Sequence, residues 1–254
     1  MPSDQSTVHS ERRDRVLVIR IDREAKRNAI DRVTASGIDA ALNLLEDDDQ
    51  LWAGVITGTT AVFSAGSDLR DGTGGPTERG GEYGVIRRRR TKPLIAAVEG
   101  PAFGGGFEIA LACDLVVASR TARFALPESR RGVIASSGAL FRAMRALPLN
   151  VAKELLITGA VLDAERGYQL GFVNRVADPG QALAVALELA GDVCASSPVS
   201  VRTSLSAIAA QHDAADAAGW AQTAAAVERV KASDDIKEGV TAFFEKRPPR
   251  WTGR

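Results

Sequence analysis

The stretch Ala102-Phe-Gly-Gly-Gly-Phe-Glu-Ile-Ala-Leu-Ala-Cys-Asp114 decides the fold and contains the first candidate for a functional site. Its three glycines stand directly before an apolar run, which predicts a buried helix over about residues 107–114. Glycines at the start of a helix allow close backbone approach, and the free N–H groups there stabilise negative charge. The spacing matches neither G-x-G-x-x-G nor a phosphate-binding Gly-Lys-Ser/Thr loop. Tight packing of a strand on a helix is the structural alternative.

Two glutamates are the candidate catalytic residues. Glu108 lies inside the apolar helix, where a buried carboxylate is costly unless it is hydrogen-bonded or used in chemistry. Glu128 ends the segment Phe124-Ala-Leu-Pro-Glu128, in which the proline has a fixed φ and so orients the Glu128 side chain rigidly. Two carboxyl groups in one apolar pocket can act as acid and base. Singly, Glu108 could complement the helix dipole, and Glu128 could be a cap or a surface residue.

Hydrophobic patterning on both sides of this stretch predicts an α/β chain. Predicted strands cover residues 16–21, 52–57, 94–98, 115–118, 123–125 and 172–176. Predicted helices cover residues 32–46, with Asp31 as the N-cap, and then 140–147, 151–158, 164–170, 181–196 and 200–232. Residues 1–15 form a polar leader, and residues 71–84 are rich in Gly, Pro and charge, which predicts a mobile surface loop. A shift in composition separates a mixed core, residues 1–196, from a helical region, residues 197–254.

Composition narrows the classes of function. The chain has 32 basic and 32 acidic residues, so it has no general attraction for nucleic acid or for an anionic membrane. Its two histidines, His9 and His212, lie in polar or alanine-rich surroundings, which weakens triad and metal-histidine mechanisms. Cys113 and Cys194 are far apart and indicate neither a disulfide framework nor a zinc-thiolate site. We expect a cytoplasmic protein without a metal, a nucleic-acid partner or a membrane span.

Several further motifs, in order, resemble the signature blocks of the enoyl-CoA hydratase/isomerase (crotonase) family. They are Phe63-Ser-Ala-Gly-Ser-Asp-Leu-Arg70, Lys92-Pro-Leu-Ile-Ala-Ala-Val-Glu-Gly100, Gly132-Val-Ile134, Leu156-Ile-Thr-Gly159, Gly171-Phe-Val-Asn-Arg-Val176 and Glu238-Gly-Val-Thr-Ala-Phe-Phe-Glu-Lys-Arg247. The resemblance runs from about residue 16 to residue 254. It implies a spiral of ββα units with a helical C-terminal trimerisation region, assembled as a homotrimer or a homohexamer.

The resemblance also implies the reaction, which is reversible addition of water across the 2,3 double bond of an enoyl-CoA. The backbone N–H groups of Ser67 and Gly105 would form an oxyanion hole that holds the thioester oxygen as it becomes an enolate. Glu108 is assigned to water activation and Glu128 to proton exchange at the α-carbon. Coenzyme A would enter as part of the acyl-CoA substrate, so no separate cofactor is expected.

The remaining site residues follow from the resemblance as contacts to CoA. Backbone groups of Ala25 and Asn28 would meet the adenine. Backbone groups of Ser67, Asp68, Leu69 and Arg70 would meet the pantetheine end. Gly104 is a further expected contact to the acyl-CoA. Phe243 and Lys246 would reach the CoA of a neighbouring subunit. The run Arg87-Arg-Arg-Arg90 is either an aid to phosphate binding or a solvated basic helix face.

Departures from the family pattern fall near the expected acyl pocket. Phe107 replaces the more usual cysteine, Ala125-Leu126 replaces Gly-Gln, and Ala135-Ser-Ser-Gly-Ala139 replaces Pro-Gly-Ala-Gly-Gly. Phe-Glu and Ala-Leu-Pro-Glu are similar to the carnitinyl-CoA dehydratase branch. An isomerase, another crotonase reaction such as thioester hydrolysis, and a non-catalytic acyl-CoA-binding scaffold remain alternatives. The presence of both glutamates favours the hydratase.

Overall fold

The computed structural model describes residues 6–70, 72 and 75–254, and we number its elements along the chain. The strands are β1 (Val8–Arg13), β2 (Val16–Ile21), β3 (Ala53–Thr57), β4 (Leu94–Val98), β5 (Pro101–Phe103), β6 (Leu115–Ser119), β7 (Arg123–Ala125), β8 (Val161–Asp163) and β9 (Arg175–Ala177). The α-helices are α1 (Arg32–Asp47), α2 (Gly105–Ala112), α3 (Ala139–Ala146), α4 (Leu149–Thr158), α5 (Ala164–Gln169), α6 (Ala182–Cys194), α7 (Pro198–Lys231) and α8 (Asp235–Glu245). Short 3₁₀-helices cover Glu24–Lys26, Glu82–Gly84 and Pro127–Arg131.

A six-stranded sheet, in the order β1-β2-β3-β4-β6-β9, forms the centre of the fold. Only the β1–β2 pair of this sheet is antiparallel, and the other pairs are parallel. Successive side chains of β3 point to opposite faces, so Val55 packs with α6 while Ile56 joins the main core. Burial on both faces explains why β3 and β4 read as continuous apolar runs. A second sheet, β5-β7-β8, lies next to the start of α2.

Local signals in the sequence are confirmed where they set helix and strand ends. Asp31 is the N-cap of α1, and its carboxylate accepts a 2.8 Å hydrogen bond from the backbone N–H of Thr34. Asp114 has the structural role expected for it. Its carboxylate accepts the N–H of Leu94 at 2.8 Å and forms an ion pair with Arg90.

The polar leader prediction is wrong for residues 8–13, because β1 pairs along its length with β2. β1 is an edge strand in which Val8 alone is buried, so it has no apolar run to reveal it. The predicted strand at residues 172–176 is displaced to β9. Phe172 and Val173 belong to the core but precede the paired residues.

The predicted mobile loop, residues 71–84, is in part ordered. Residues 71, 73 and 74 lie outside the described part of the chain. Beyond them, Thr77 pairs with Gly81 in a β-bridge, and its hydroxyl donates to the Asp39 carboxylate on α1 at 2.8 Å. Tyr83 is buried in the 3₁₀-helix that follows. These contacts anchor the segment on α1.

The arginine run at residues 87–90 is not a helix, so the basic helix face is wrong. Arg88 is buried and bonded to Asp39 at 2.5 Å. Arg87 pairs with Glu82 and lies 3.8 Å from the Trp220 ring centre, while Arg89 faces solvent. Each of these side chains has its own acidic or aromatic partner.

The C-terminal region consists of α7 and α8. α7 is 34 residues long, and Thr223 is its one buried residue. α8 packs against the 3₁₀-helix Pro127–Arg131, where Gly239 lies against the Arg131 carbonyl and leaves no room for a side chain. Within the described residues no single helix is both long and apolar enough to span a membrane. The pair α6 and α7 meets that criterion only together, across a 103° bend.

Candidate active site

Two chain segments meet at the glycine turn that precedes α2. The segment around Ser64 pairs with β5, since Phe103 donates its N–H to the Ser64 carbonyl at 2.9 Å. Gly66 has a φ of +87°, and a methyl group there would stand 2.7 Å from the Gly105 nitrogen. Only glycine accommodates both the backbone conformation and this approach. The pairing brings Ser67 and Gly105 to one place.

Both expected oxyanion-hole donors are free to bind a ligand. The backbone N–H of Gly105 is the first of α2 and has no partner within the helix. Neither it nor the N–H of Ser67 donates a hydrogen bond to any residue in the described ranges. Unpaired N–H groups at a helix start carry partial positive charge, so this is a place where a developing oxyanion is stabilised.

Glu108 is held in the first turn of α2 with only 2% of its surface exposed. Its Oε1 accepts the backbone N–H groups of Ser137, at 2.7 Å, and Ala139, at 3.2 Å. Burial and, after it, the nearby charge of Glu128 together raise the pKa of Glu108 to about 8. The two N–H donors oppose the shift without cancelling it.

Glu128 faces the same space from the 3₁₀-helix Pro127–Arg131. Burial raises its pKa to about 7, and the charge of Arg131 opposes the rise. Its Oε2 is buried and has no hydrogen-bond partner among the described residues. A side chain at position 104 would meet Glu128 Oε1 at 3.0 Å, which explains why glycine precedes α2. An unpaired buried carboxyl oxygen is ready for a ligand.

The two glutamates share a cavity of about 260 Å³. Its wall contains both oxyanion-hole residues, both glutamates, Tyr83, Arg131 and Ser136, and apolar side chains from three parts of the chain. The apolar residues are Ala65, Leu69, Val133, Ile134, Val240, Phe243 and Phe244. The pair holds one proton between the two pKa values, so the cavity presents a carboxylate and a carboxylic acid near neutral pH. No group of three or more His, Cys, Asp or Glu within the described chain is arranged to hold a metal.

Tyr83 is a site residue that the sequence analysis missed, because it lies in the segment predicted to be mobile. Its hydroxyl is 2.8 Å from Ser67 Oγ, and its ring lies on Gly105. A methyl group at position 105 would stand 2.5 Å from Tyr83 Oη. Burial and the charge of Glu108 raise the pKa of Tyr83, which keeps the phenol protonated as a donor. A positive φ of 55° at a tyrosine is the local signal of this constraint.

The residues expected to bind CoA are distributed unevenly around the cavity. Gly104 and Leu69 line it, and Leu69 also reaches the surface beside Arg70. Ala25 is exposed. Asn28 is fully buried, and its backbone is already bonded: its N–H donates to Arg23 and its carbonyl accepts from Ser64 Oγ.

Asp68 and the two tail residues, Phe243 and Lys246, have different positions relative to the cavity. Asp68 is buried and pairs with Arg23 at 2.6 Å, so its carboxylate supports the loop. Phe243 lines the cavity of its own chain, where the sequence analysis assigned it to the CoA of a neighbour. α8 brings it there by packing on the 3₁₀-helix that carries Glu128. Lys246 is exposed and lies outside the cavity wall.

The residues that depart from the family pattern differ in their position relative to the cavity. Phe107 points away from the cavity, with its ring 5.2 Å from that of Phe124 and 5.3 Å from that of Phe172. Phe107 is next to Glu108 in the chain but is not on the wall of the cavity. The segment at residues 135–139 does border it, since Ser136 is on the wall and Ser137 holds Glu108.

The chain matches known proteins along almost its full length. Residues 11–254 match the enoyl-CoA hydratase/isomerase family. The mevalonyl-coenzyme A hydratase of Aspergillus fumigatus is 36% identical, covering 93% of this chain and 91% of that protein. The carnitinyl-CoA dehydratase of Proteus mirabilis is 36% identical, covering 98% and 99%. The crystal structure of a carnitinyl-CoA hydratase from Mycobacterium avium superposes with a TM-score of 0.93 at 37% identity, covering 98% of this chain and 100% of that one.

These similarities extend over the sheet, the glycine turn, both glutamates and the helical tail. They confirm the α/β fold with its helical C-terminal region and the features shared with carnitinyl-CoA dehydratases. The relatives are hydratases and dehydratases, which are hydro-lyases that add or remove water. The chain belongs to the enoyl-CoA hydratase/isomerase (crotonase) family and is an enzyme with crotonase-type hydratase activity.

Proposed function

We propose that Glu108 and Glu128 together hold and activate the water that adds to C3 of an enoyl-CoA thioester, while Ser67 and Gly105 bind the thioester oxygen. The observation that carries the proposal is two carboxyl groups with raised pKa values facing one cavity beside two unpaired backbone N–H groups. A carboxylate can take a proton from water, and a neighbouring carboxylic acid can deliver one to C2.

Water is the only reactant that is added to the enoyl-CoA thioester. A water oxygen bonds to C3, the C2–C3 electron pair moves toward the thioester, and the charge gathers on the thioester oxygen. The two backbone donors stabilise this enolate, and one such donor contributes about 3 kcal/mol in other enzymes. Protonation at C2 then restores the thioester, and dehydration is the same path reversed. The division that gives water to Glu108 and C2 to Glu128 stays a prediction, since the pair titrates together.

The names of the relatives indicate the range of substrates. Mevalonyl and carnitinyl groups are short acyl chains that carry polar substituents. A cavity of about 260 Å³ with three hydroxyl-bearing side chains on its wall, Ser67, Tyr83 and Ser136, is consistent with a short chain. Water addition changes no oxidation state overall, so we propose that the enzyme needs no cofactor apart from the CoA of its substrate. We also propose a cytoplasmic location and a trimeric or hexameric assembly.

The test measures hydration of crotonyl-CoA, with binding of the thioester measured in parallel. Glu108→Gln and Glu128→Gln should each lower hydration at least about 100-fold with little loss of binding. The double variant should be little worse than either, because residues acting on one water behave as a unit. Glu99→Gln is the matched control. Glu99 is buried, yet it serves the fold by accepting the Ala182 N–H at 2.9 Å, and it should retain activity.

The outcomes distinguish the alternatives. Near-normal hydration in Glu128→Gln, with loss only in Glu108→Gln, would sink the two-carboxylate mechanism. Binding without turnover in the unmodified protein would support the scaffold instead. Conversion of a 3-enoyl-CoA to a 2-enoyl-CoA without water addition would support an isomerase.

A further inference from the structure

Arg131 places a positive charge on the cavity wall, one turn from Glu128. The two residues stand at positions i and i+3 of the 3₁₀-helix Pro127–Arg131, so their side chains leave the helix on the same side. Both line the cavity, and among the described residues on its wall Arg131 is the cationic one. The rise of this helix separates them by about 6 Å along its axis.

Glu128 is the acidic residue whose charge acts on Arg131, but the two side chains are not in ion-pair contact. Among the described residues no carboxylate lies within 4.0 Å of the Arg131 guanidinium, and the group donates no hydrogen bond to them. Burial lowers the pKa of Arg131, although an arginine side chain remains protonated. The donors of this half-buried guanidinium are free to bind a ligand, and a carboxylate fits their geometry best.

The contact between Arg131 and Phe243 disfavours a cationic ligand in the cavity. The guanidinium carbon lies 4.7 Å from the centre of the Phe243 ring, over its face. A quaternary ammonium group binds proteins through such aromatic faces, but here a cation of the protein already occupies it. A second cation in the cavity would also meet the like charge of Arg131.

We infer that Arg131 is a specificity-determining residue that selects short 2-enoyl-CoA substrates whose acyl chain carries an oxygen acceptor, above all a carboxylate, and disfavours a quaternary ammonium. The inference rests on the proposed hydratase function, since it assigns the substrate class of that same site. A carnitinyl group carries a trimethylammonium, so the inferred preference differs from the substrate for which the carnitinyl-CoA dehydratases are named. A mevalonyl group carries oxygen and no ammonium, so the preference is closer to that of the mevalonyl-coenzyme A hydratase.

The experiment compares three enoyl-CoA substrates of similar length. They are pent-2-enoyl-CoA, which is uncharged, glutaconyl-CoA, which ends in a carboxylate, and 4-trimethylammonio-but-2-enoyl-CoA, which ends in a quaternary ammonium. The unmodified enzyme should hydrate glutaconyl-CoA with a kcat/KM at least tenfold above that for the ammonium substrate. Hydration of pent-2-enoyl-CoA tests the underlying reaction independently.

Arg131→Met removes the charge and keeps an unbranched apolar side chain. It should reduce the ratio of kcat/KM for glutaconyl-CoA over pent-2-enoyl-CoA at least tenfold. The ratio matters because loss of the cation also raises the pKa of Glu128, an effect that acts on both substrates alike. Arg131→Lys, which keeps the charge, should retain most of the ratio, and Arg131→Gln is a second uncharged variant if the first does not fold.

Arg130→Met is the matched control on the same 3₁₀-helix. Arg130 is exposed, points to α4 and donates through Nε to the Thr158 carbonyl at 2.5 Å. Its substitution should leave the ratio unchanged. A preference of the unmodified enzyme for the ammonium substrate, or an unchanged ratio in folded Arg131→Met and Arg131→Gln, overturns this inference while the hydratase function stands. Failure to hydrate any of the three substrates overturns both.

Discussion

At Glu108 the carboxyl group is almost fully removed from solvent, and its Oε1 accepts two backbone N–H groups. Those donors would suit a carboxylate, yet burial and the neighbouring Glu128 still raise the pKa of Glu108 from 4.5 to about 8. The side chain is therefore easiest to bury as the acid, while one carboxyl group of the pair must ionise to act on water. Stability and chemistry have opposite requirements at this residue.

The pH dependence of stability follows from the sign of that shift. In the unfolded chain Glu108 loses its proton near its ordinary pKa of 4.5, whereas the folded chain keeps it up to about pH 8. The folded state binds more protons across this interval, so the contribution of Glu108 is fully present below pH 4.5 and is lost as pH rises to about 8. Each pKa unit corresponds to about 1.4 kcal/mol.

Glu108→Gln should therefore stabilise the protein at alkaline pH while it abolishes hydration. The amide oxygen of glutamine can still accept the Ser137 and Ala139 N–H groups, and glutamine has no charge to bury. Relative to the unmodified protein, we expect equal melting temperatures near pH 5 and a gain of about 5 °C or more at pH 8.5. Thermal melts at both pH values check this. A gain of the same size at pH 5, or none at pH 8.5, would contradict the assignment.

Helices and strands whose ends are set by nearby residues can be predicted from the sequence. Asp31 caps α1 through contacts three residues away, and the glycine run with its apolar continuation marks α2. Glu108 lies in a segment that reads as buried, whereas Glu128 becomes a site candidate only when it is paired with Glu108. The closeness of Ser67 and Gly105 is predicted only by the resemblance to the family, which covers many motifs. Hydrophobic periodicity alone does not predict it.

Segments whose structure depends on contacts distant in sequence cannot be predicted in this way. Tyr83 is surrounded by Gly and charged residues, and its place on Gly105 follows from tertiary packing. β1 is an edge strand whose exposed residues leave no apolar pattern. The sequence also does not show that α8 packs on the 3₁₀-helix beside Glu128 and so places Phe243 on the wall of its own cavity. A contact of Phe243 with the CoA of a neighbour stays a prediction.

Gly239 tests how α8 closes the cavity. A methyl group at this position would collide with the Arg131 carbonyl, so Gly239→Ala must move α8 away from the 3₁₀-helix. Since Val240, Phe243 and Phe244 of α8 form part of the wall, we expect the KM for acyl-CoA to rise about tenfold. Overpacking of this kind also costs about 1–3 kcal/mol of stability.

Gly191→Ala is the control for the helical substitution itself. Gly191 lies in α6 with nothing within 4 Å of an added methyl group, so alanine there should be neutral or stabilise by about 1 kcal/mol. Steady-state kinetics and thermal melts on both variants separate the two effects. Equal KM values for Gly239→Ala and Gly191→Ala would show that α8 does not shape the site.

At the scale of the whole molecule, α7 is the element that a single chain leaves unexplained. A 34-residue helix with one buried residue gains little from packing on its own subunit. It exposes Val199 and Ile208, at 72% and 55% of their surface. Burial of this helix against other copies would account for its length, in agreement with the proposed trimer or hexamer. Light scattering should give three or six times the chain mass of 26.8 kDa.

Assembly gives Lys246 its proposed role, because this exposed residue follows α8 and lies off the wall of its own cavity. If its ammonium meets a phosphate of a CoA bound to a neighbour, the charge-assisted hydrogen bond is worth about 1.5–3 kcal/mol. Lys246→Gly should then raise the KM for acyl-CoA about tenfold with little change in kcat. Glycine is the informative replacement because Lys246 has a φ of 55°, which glycine adopts without strain, so the charge is lost without loss of stability. Lys237→Ala, which removes an exposed lysine within α8, is the control.

Co-expression decides whether Lys246 acts on its own site or on a neighbour's. Subunits with Glu108→Gln are expected to be inactive but keep Lys246, while Lys246→Gly subunits keep both glutamates. In a mixed oligomer, a catalytically intact site can receive Lys246 only from the inactive neighbour, so a fraction of sites should regain the low KM. Steady-state kinetics on the purified mixture should then show two populations of sites, one of them with the KM of the unmodified enzyme. If every active site in verified mixed oligomers kept the raised KM, Lys246 would act within its own chain and the intersubunit contact would be wrong.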